Sequence, residues 1–282
     1  MTPGPGEYSP RRNAMFDGVL QLAYPVQALL ATLLTWGITA LGACLVFFMA
    51  KPNRNLMDGM LGVAGGVMVA ASFFSLLAPS IEMSEELGLN PWLTALAGFL
   101  GGGLLLFLGD RFFTRHLESR FSAQGSPRSL KRSVLLVFSI TLHNIPEGMA
   151  IGVAFGSVAF GLEGSTLAGA WLLALGIGMQ NLPEGMAVSV PLRREGFTRK
   201  QAFFYGQLSG IAEPVAGVLG AILVLKVHTA LPFLLAFAAG AMIYVVVEEL
   251  IPESQTNQNK AWMALFTLVG FSLMMVLDVA LG

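Results

Sequence analysis

Apolar residues run along this chain in eight long blocks, at 24–50, 58–79, 92–113, 134–161, 166–191, 202–226, 231–251 and 261–281, with polar stretches between them. Each block reaches about 20 residues or more, the length a helix needs to cross a hydrocarbon core of about 30 Å. Inside lipid a backbone amide finds no water, so such spans must pair their own amides and are helices rather than isolated strands. The pattern predicts an all-α, polytopic membrane protein with eight transmembrane helices over 24–282. Residues 1–23 read as a polar tail: with Pro3, Pro5, Arg11 and Arg12 they lack the apolar core and cleavage site of a signal peptide.

Composition agrees. Apolar residues make up 55% of the chain and charged residues 12%, with mean hydropathy +0.70, against about 25% charged in soluble domains. The net charge of −1 argues against nucleic acid, which needs a basic surface. The single cysteine, Cys44, excludes an intrachain disulfide. Thirteen of the sixteen Lys and Arg, among them Lys51, Arg54, Arg115, Arg132, Arg193, Arg199 and Lys260, fall at the connections 1–2, 3–4, 5–6 and 7–8 or the span ends beside them. By the positive-inside rule these connections are cytoplasmic and both termini external. The longest polar connection, at about 114–132, then reads as a mobile cytoplasmic loop without periodicity.

Within this apolar background one stretch stands out: His143-Asn144-Ile145-Pro146-Glu147-Gly148-Met149-Ala150. It recurs 37 residues later as Gln180-Asn181-Leu182-Pro183-Glu184-Gly185-Met186-Ala187, with six identities at matched spacing. Polar groups in a bilayer are costly unless paired or hydrated, so each needs a reason. On a helix, residues three and four apart share a face. That places Glu147 with His143 and Asn144, and Glu184 with Gln180 and Asn181. Two such helices face to face set two carboxylates between four flanking ligands, an arrangement suited to two cations bridged by Glu147 and Glu184. A lone His would ordinarily be a packed core residue; the accompanying Glu, the proline and the second copy argue for ligation. Pro146 and Pro183 lack an amide hydrogen and are expected to kink their helices. Gly148 and Gly185 are expected to let the two kinked helices approach each other.

Other polar groups fit around this pair. Glu213 precedes Pro214 in the sixth span, and Glu248 and Glu249 lie near the cytoplasmic end of the seventh. Glu82 belongs to an acidic external cluster, and Asp110 and Asp278 sit near span ends. Imidazole with carboxylates suits zinc, iron and manganese, and a thioether from Met68 would favour zinc or cadmium.

The doubled His-Asn-x-Pro-Glu-Gly motif resembles the ZIP (Zrt/Irt-like) family of divalent metal transporters, and looks nearest to its bacterial GufA-like branch. The resemblance covers all eight spans. It implies a binuclear metal site between helices 4 and 5. The first ion would be held by Met68, His143, Glu147, Gln180 and Glu184, and the second by Asn144, Glu147, Asn181, Glu184 and Glu213. Ser75 and Glu82 look similar to the family's external entrance, and Glu248 and Glu249 to its exit. Many members carry His where this chain has Gln180, some carry Asp at Asn181, and His116 alone represents the His-rich loop of many relatives. The expected activity is import of zinc, with cadmium, iron or manganese as further substrates, by alternating access. Spans 1, 4, 5 and 6 would move against spans 2, 3, 7 and 8. The metal is the bound substrate, and no cofactor and no enzymatic step are expected. The expected partners are divalent metal ions, the lipid bilayer of a bacterial inner membrane and, in one assembly, a second copy as a homodimer. A passive metal channel is the alternative. An intramembrane metallohydrolase would need a His-Glu-x-x-His zinc site, which the three histidines, His116, His143 and His228, do not form.

Overall fold

The computed structural model of the chain describes residues 21–48, 54–123, 128–162 and 165–281. Most of the expected tail therefore lies outside the described residues. Helix α1 (Tyr24–Cys44) opens with Pro25 in its first turn, where a missing amide hydrogen does no harm. Helix α2 (Arg54–Ala71) passes through a π-helical stretch, Ser72–Leu77, into α3 (Ala78–Glu86). Then follow α4 (Pro91–Ala123), α5 (Arg128–Ser157) and α6 (Leu167–Arg194). Thr166 caps α6, its hydroxyl accepting from the Gly169 amide at 2.9 Å. Helix α7 (Arg199–Ser209) begins in a capping box made by Thr198 and Gln201. After a break at Gly210 and Ile211 come α8 (Ala212–Lys226), α9 (Leu231–Val245), a second π-helical stretch (Val246–Leu250), α10 (Ile251–Ser254) and α11 (Lys260–Leu281). Among the described residues no strand occurs.

Among the described residues six runs are long and apolar enough to cross a membrane: Tyr24–Phe47, Arg54–Glu86, Pro91–Phe112, Arg199–Lys226, Leu231–Ser254 and Lys260–Ala280. The chain is thus an all-helical, multi-pass membrane protein. The other two long helices, α5 of 30 residues and α6 of 28, are the ones that carry the duplicated motif. Both continue through Pro146 and Pro183 without interruption. The stretch read as a mobile loop at 114–132 is largely helical instead: α4 runs on to Ala123 and α5 starts at Arg128. Its first part, 114–123, contains neither Gly nor Pro, so nothing in it stops a helix.

Helices pair closely as α1 with α6, α5 with α8, α2 with α11 and α4 with α9. Contacts of α2 with α6 and of α5 with α9 join these pairs. The windows in Pro91–Phe112 and Lys260–Ala280 are only 11% and 17% buried, against 61% for Arg54–Glu86 and Leu231–Ser254. So α4 and α11 form the outer rim, with Leu100, Leu104, Leu268 and Val269 exposed as a lipid-facing surface requires. The principal core lies inside, where Met68, Ile151, Phe155, Ile177, Leu235 and Met242 are fully or almost fully buried.

Candidate metal centre

The two motif copies fold to a common interior. His143, Asn144, Glu147, Gln180, Asn181, Glu184 and Glu213 are all 5% exposed or less. Glu147, Glu184 and Glu213 lie within electrostatic reach of one another. Gln180 Nε2 donates to Glu147 Oε1 at 2.7 Å, which joins the second copy to the first. Asn181 Nδ2 donates to Glu213 Oε1 at 2.8 Å and to the Thr35 carbonyl at 3.2 Å. Asn144 Nδ2 donates to the Ile140 carbonyl at 2.8 Å. The Thr35 hydroxyl donates to Glu213 Oε2.

These bonds orient all three amides the same way. Each turns its N–H groups to a protein acceptor and leaves its carbonyl oxygen over. Within the two motif copies five buried oxygens have no donor: Asn144 Oδ1, Glu147 Oε2, Gln180 Oε1, Asn181 Oδ1 and Glu184 Oε2. A buried polar atom without a partner costs about 1–3 kcal/mol, and a buried carboxylate more unless a counter-charge meets it. All five of these oxygens are on the duplicated motif, and their chemistry is that of hard acceptors for a cation. Among the described residues no group of three or more His, Cys, Asp and Glu is gathered for a metal ion.

His143 Nδ1 lies 3.1 Å from Glu249 Oε2. A carboxylate on one ring nitrogen orients the imidazole and leaves Nε2 for an ion. Glu249 therefore reaches the centre itself, while Glu248 on the same π-helical turn interacts with Tyr244. Both π-helical stretches stand just before a proline, Pro79 or Pro252. There the Ala78 amide bonds back to Phe73 and the Ile251 amide to Val246, five residues earlier. The extra residue absorbs the clash that a proline causes four residues upstream, and such bulges recur at functional sites. Met68 is fully buried on α2, with the Ser72 hydroxyl on its carbonyl at 2.7 Å.

Ser75 and Glu82 are set apart from this cluster. They line a cavity of about 430 Å³ together with Ser157, Thr166 and Asp278, and Ser75 donates to Asp278 Oδ2 at 3.1 Å. The role of the motif glycines differs from the expectation. An added Cβ at Gly148 would lie 2.6 Å from Glu213 Cα, and one at Gly185 would lie 2.9 Å from the Ala43 amide nitrogen. Gly148 therefore admits α8 and Gly185 admits α1; their missing side chains do not face each other. The small residue serves the helix packed behind each motif.

Sequence reasoning also missed Thr35. Its signal was a polar stripe, Thr32, Thr35 and Thr39, at helical spacing in an apolar span, all three fully buried. Asp278 was noticed only as a carboxylate near a span end, since nothing local connects it to Ser75.

Comparison with known proteins decides the family. The family model for the ZIP zinc transporter matches residues 120–278. The chain belongs to the ZIP family. It is 39% identical to zinc transporter ZIP11 of Xenopus tropicalis, across 95% of this chain and all of that protein. It is 38% identical to zinc transporter ZIPB of Bordetella bronchiseptica, across 86% of this chain and 78% of the relative. With zinc transporter GufA of Myxococcus xanthus the identity is 35%, across 90% and 98%. These ZIP relatives match over nearly the whole chain, so the membrane helices and the duplicated motif belong to one transporter unit rather than to an enzyme.

Proposed function

We propose that this ZIP protein carries zinc across the membrane into the cytosol through a binuclear site on α5 and α6, with all eight long helical runs spanning the bilayer. One observation supports the site: five buried oxygens on the two motif copies have no hydrogen-bond donor. The ion held toward His143 takes Glu147, Gln180 and Glu184 with Met68 from α2. Its neighbour takes Asn144, Glu147, Asn181 and Glu184, with Glu213 at its edge. Glu147 and Glu184 bridge the pair. Zinc arrives through the cavity lined by Ser75, Glu82 and Asp278 and leaves past Glu249 and Glu248. The basic connections face the cytosol and both termini lie outside, in a bacterial inner membrane. Cadmium, iron and manganese compete to the extent that amide and carboxylate oxygens tolerate them.

Purified full-length protein in proteoliposomes, tested with the four metals side by side, is expected to take up zinc with saturation. A Glu147→Ala, Glu184→Ala double variant is expected to take up none. Wild-type uptake by that variant would refute the assignment, and unitary currents in place of saturation would favour a channel.

A further inference from the structure

The run Arg199–Lys226 is not one regular helix. Between α7 and α8 the chain makes a tight turn at Gly210 and Ile211, just before Glu213. Pro214 has no amide to give the Gly210 carbonyl, and the Glu213 amide turns to that carbonyl instead, at 3.1 Å. Just before it, the Ile211 amide bonds to the Leu208 carbonyl at 3.1 Å rather than to Gln207, its partner in a regular α-helix. A carbonyl freed at membrane depth must find another donor. Gln207 finds it on α1, where Trp36 Nε1 donates to its carbonyl at 2.8 Å. The indole fits there because Gly210 has no side chain: a Cβ would lie 2.9 Å from Trp36 Cδ1 and 3.2 Å from Thr39 Cβ. The preceding residue of α1, Thr35, donates its hydroxyl to Glu213 Oε2. Two neighbouring residues of α1 therefore grip the turn from both sides, Trp36 by the end of α7 and Thr35 by the first carboxylate of α8.

Resting on the metal-site reading above, we propose that Trp36 is a positioning residue for the zinc site: its indole N–H occupies the Gln207 carbonyl, holds the turn at 210–211 in its tight form, and so presents Glu213 to the second ion. The reason lies in what else that carbonyl could accept. Its alternative donor is the Ile211 amide. Were that bond to form, a turn of three residues would be rewound towards 3.6, about 100° per residue in place of about 120°. Over the three steps from Leu208 to Ile211 this rotates whatever follows by up to about 60°, and Glu213 would leave its place beside Asn181 and Thr35. A tryptophan in a membrane helix ordinarily sits at the interface, at headgroup level. Here the N–H goes to the backbone of another helix, close to the metal-site residues. Glu213 remains a ligand, and Trp36 itself touches no ion.

The test is zinc binding by full-length protein in detergent, stripped of metal and titrated with zinc alone. Glu213→Ala first identifies the equivalent that depends on this carboxylate. Replacing Trp36 by 3-benzothienylalanine exchanges the indole N–H for sulfur and keeps the shape of the ring. It is expected to weaken that same equivalent by about 10–100-fold, the usual effect of losing a group that orients a ligand. The equivalent held toward His143 should be unchanged. Trp36→Phe, made without a synthetic residue, is expected to act in the same direction. Combined with Glu213→Ala, either replacement should add no further loss, because residues acting through one another are not additive. A role in packing alone predicts wild-type binding by the benzothienyl protein, and that result overturns the inference. A loss that adds in full to that of Glu213→Ala overturns it too, as does equal weakening of both equivalents or wild-type binding by Glu213→Ala. Wild-type binding by Glu147→Ala would instead sink the metal-site reading itself.

Discussion

Gly148→Ala measures how tightly the candidate centre is assembled. The new methyl would lie 2.6 Å from Glu213 Cα and 2.9 Å from the Glu213 carbonyl carbon, with the carbonyl oxygen closer still. Carbon atoms in contact sit about 3.5–4.0 Å apart, so α5 and α8 must separate by about 1 Å. The obstacle is backbone, which cannot rotate away as a side-chain end can. Overpacking of this kind costs about 1–3 kcal/mol, a fall of about 2–12 °C in the unfolding midpoint for a chain of this size. Gly37→Ala is the matched control, since its methyl meets nothing within 4 Å. There alanine should stabilise α1 by up to about 1 kcal/mol through helix propensity. The assay is thermal unfolding of both variants in one detergent at one scan rate, because membrane proteins seldom unfold reversibly. Zinc uptake should fall more than stability does, because the displaced segment carries Glu213 and its bonds to Asn181 and Thr35. If Gly148→Ala matched Gly37→Ala in midpoint and uptake, the close approach of α8 to the motif would be wrong.

Two further outcomes are expected. Asn257 is 3% exposed and donates to Asp58 Oδ2 at 2.8 Å and to Asn55 Oδ1 at 2.9 Å, tying the segment after α10 to the start of α2. Asn257→Ala takes a donor from the buried Asp58 carboxylate and should cost about 1–3 kcal/mol, read as a lower midpoint with zinc stoichiometry unchanged. Neutralising the entrance by Glu82→Gln with Asp278→Asn should raise the KM for zinc uptake without lowering kcat, and more at low ionic strength than at high; an unchanged KM at low salt would detach this cavity from the pathway.

Much of this protein is legible from its residues alone. Block length and hydropathy are local quantities, so membrane-spanning helices can be read directly from 24–50 or 261–281. The duplication is likewise a property of the string, and with it the family resemblance. Where local signals balance, the reading slips: 114–132 is polar enough to read as a loop, yet its first ten residues hold nothing that ends a helix, and α4 continues through them.

What needed the tertiary structure is the identity of neighbours. Thr35 and Glu213 touch across 178 residues of sequence, and Ser75 and Asp278 across 203. Nothing within either partner's own helix announces the contact, because it depends on which helix packs behind which. For the same reason Gly148 and Gly185 could be recognised as points of close approach, but not as openings for α8 and α1. The periodicity of a helix sets which side chains share a face; the packing of the other helices sets what that face meets.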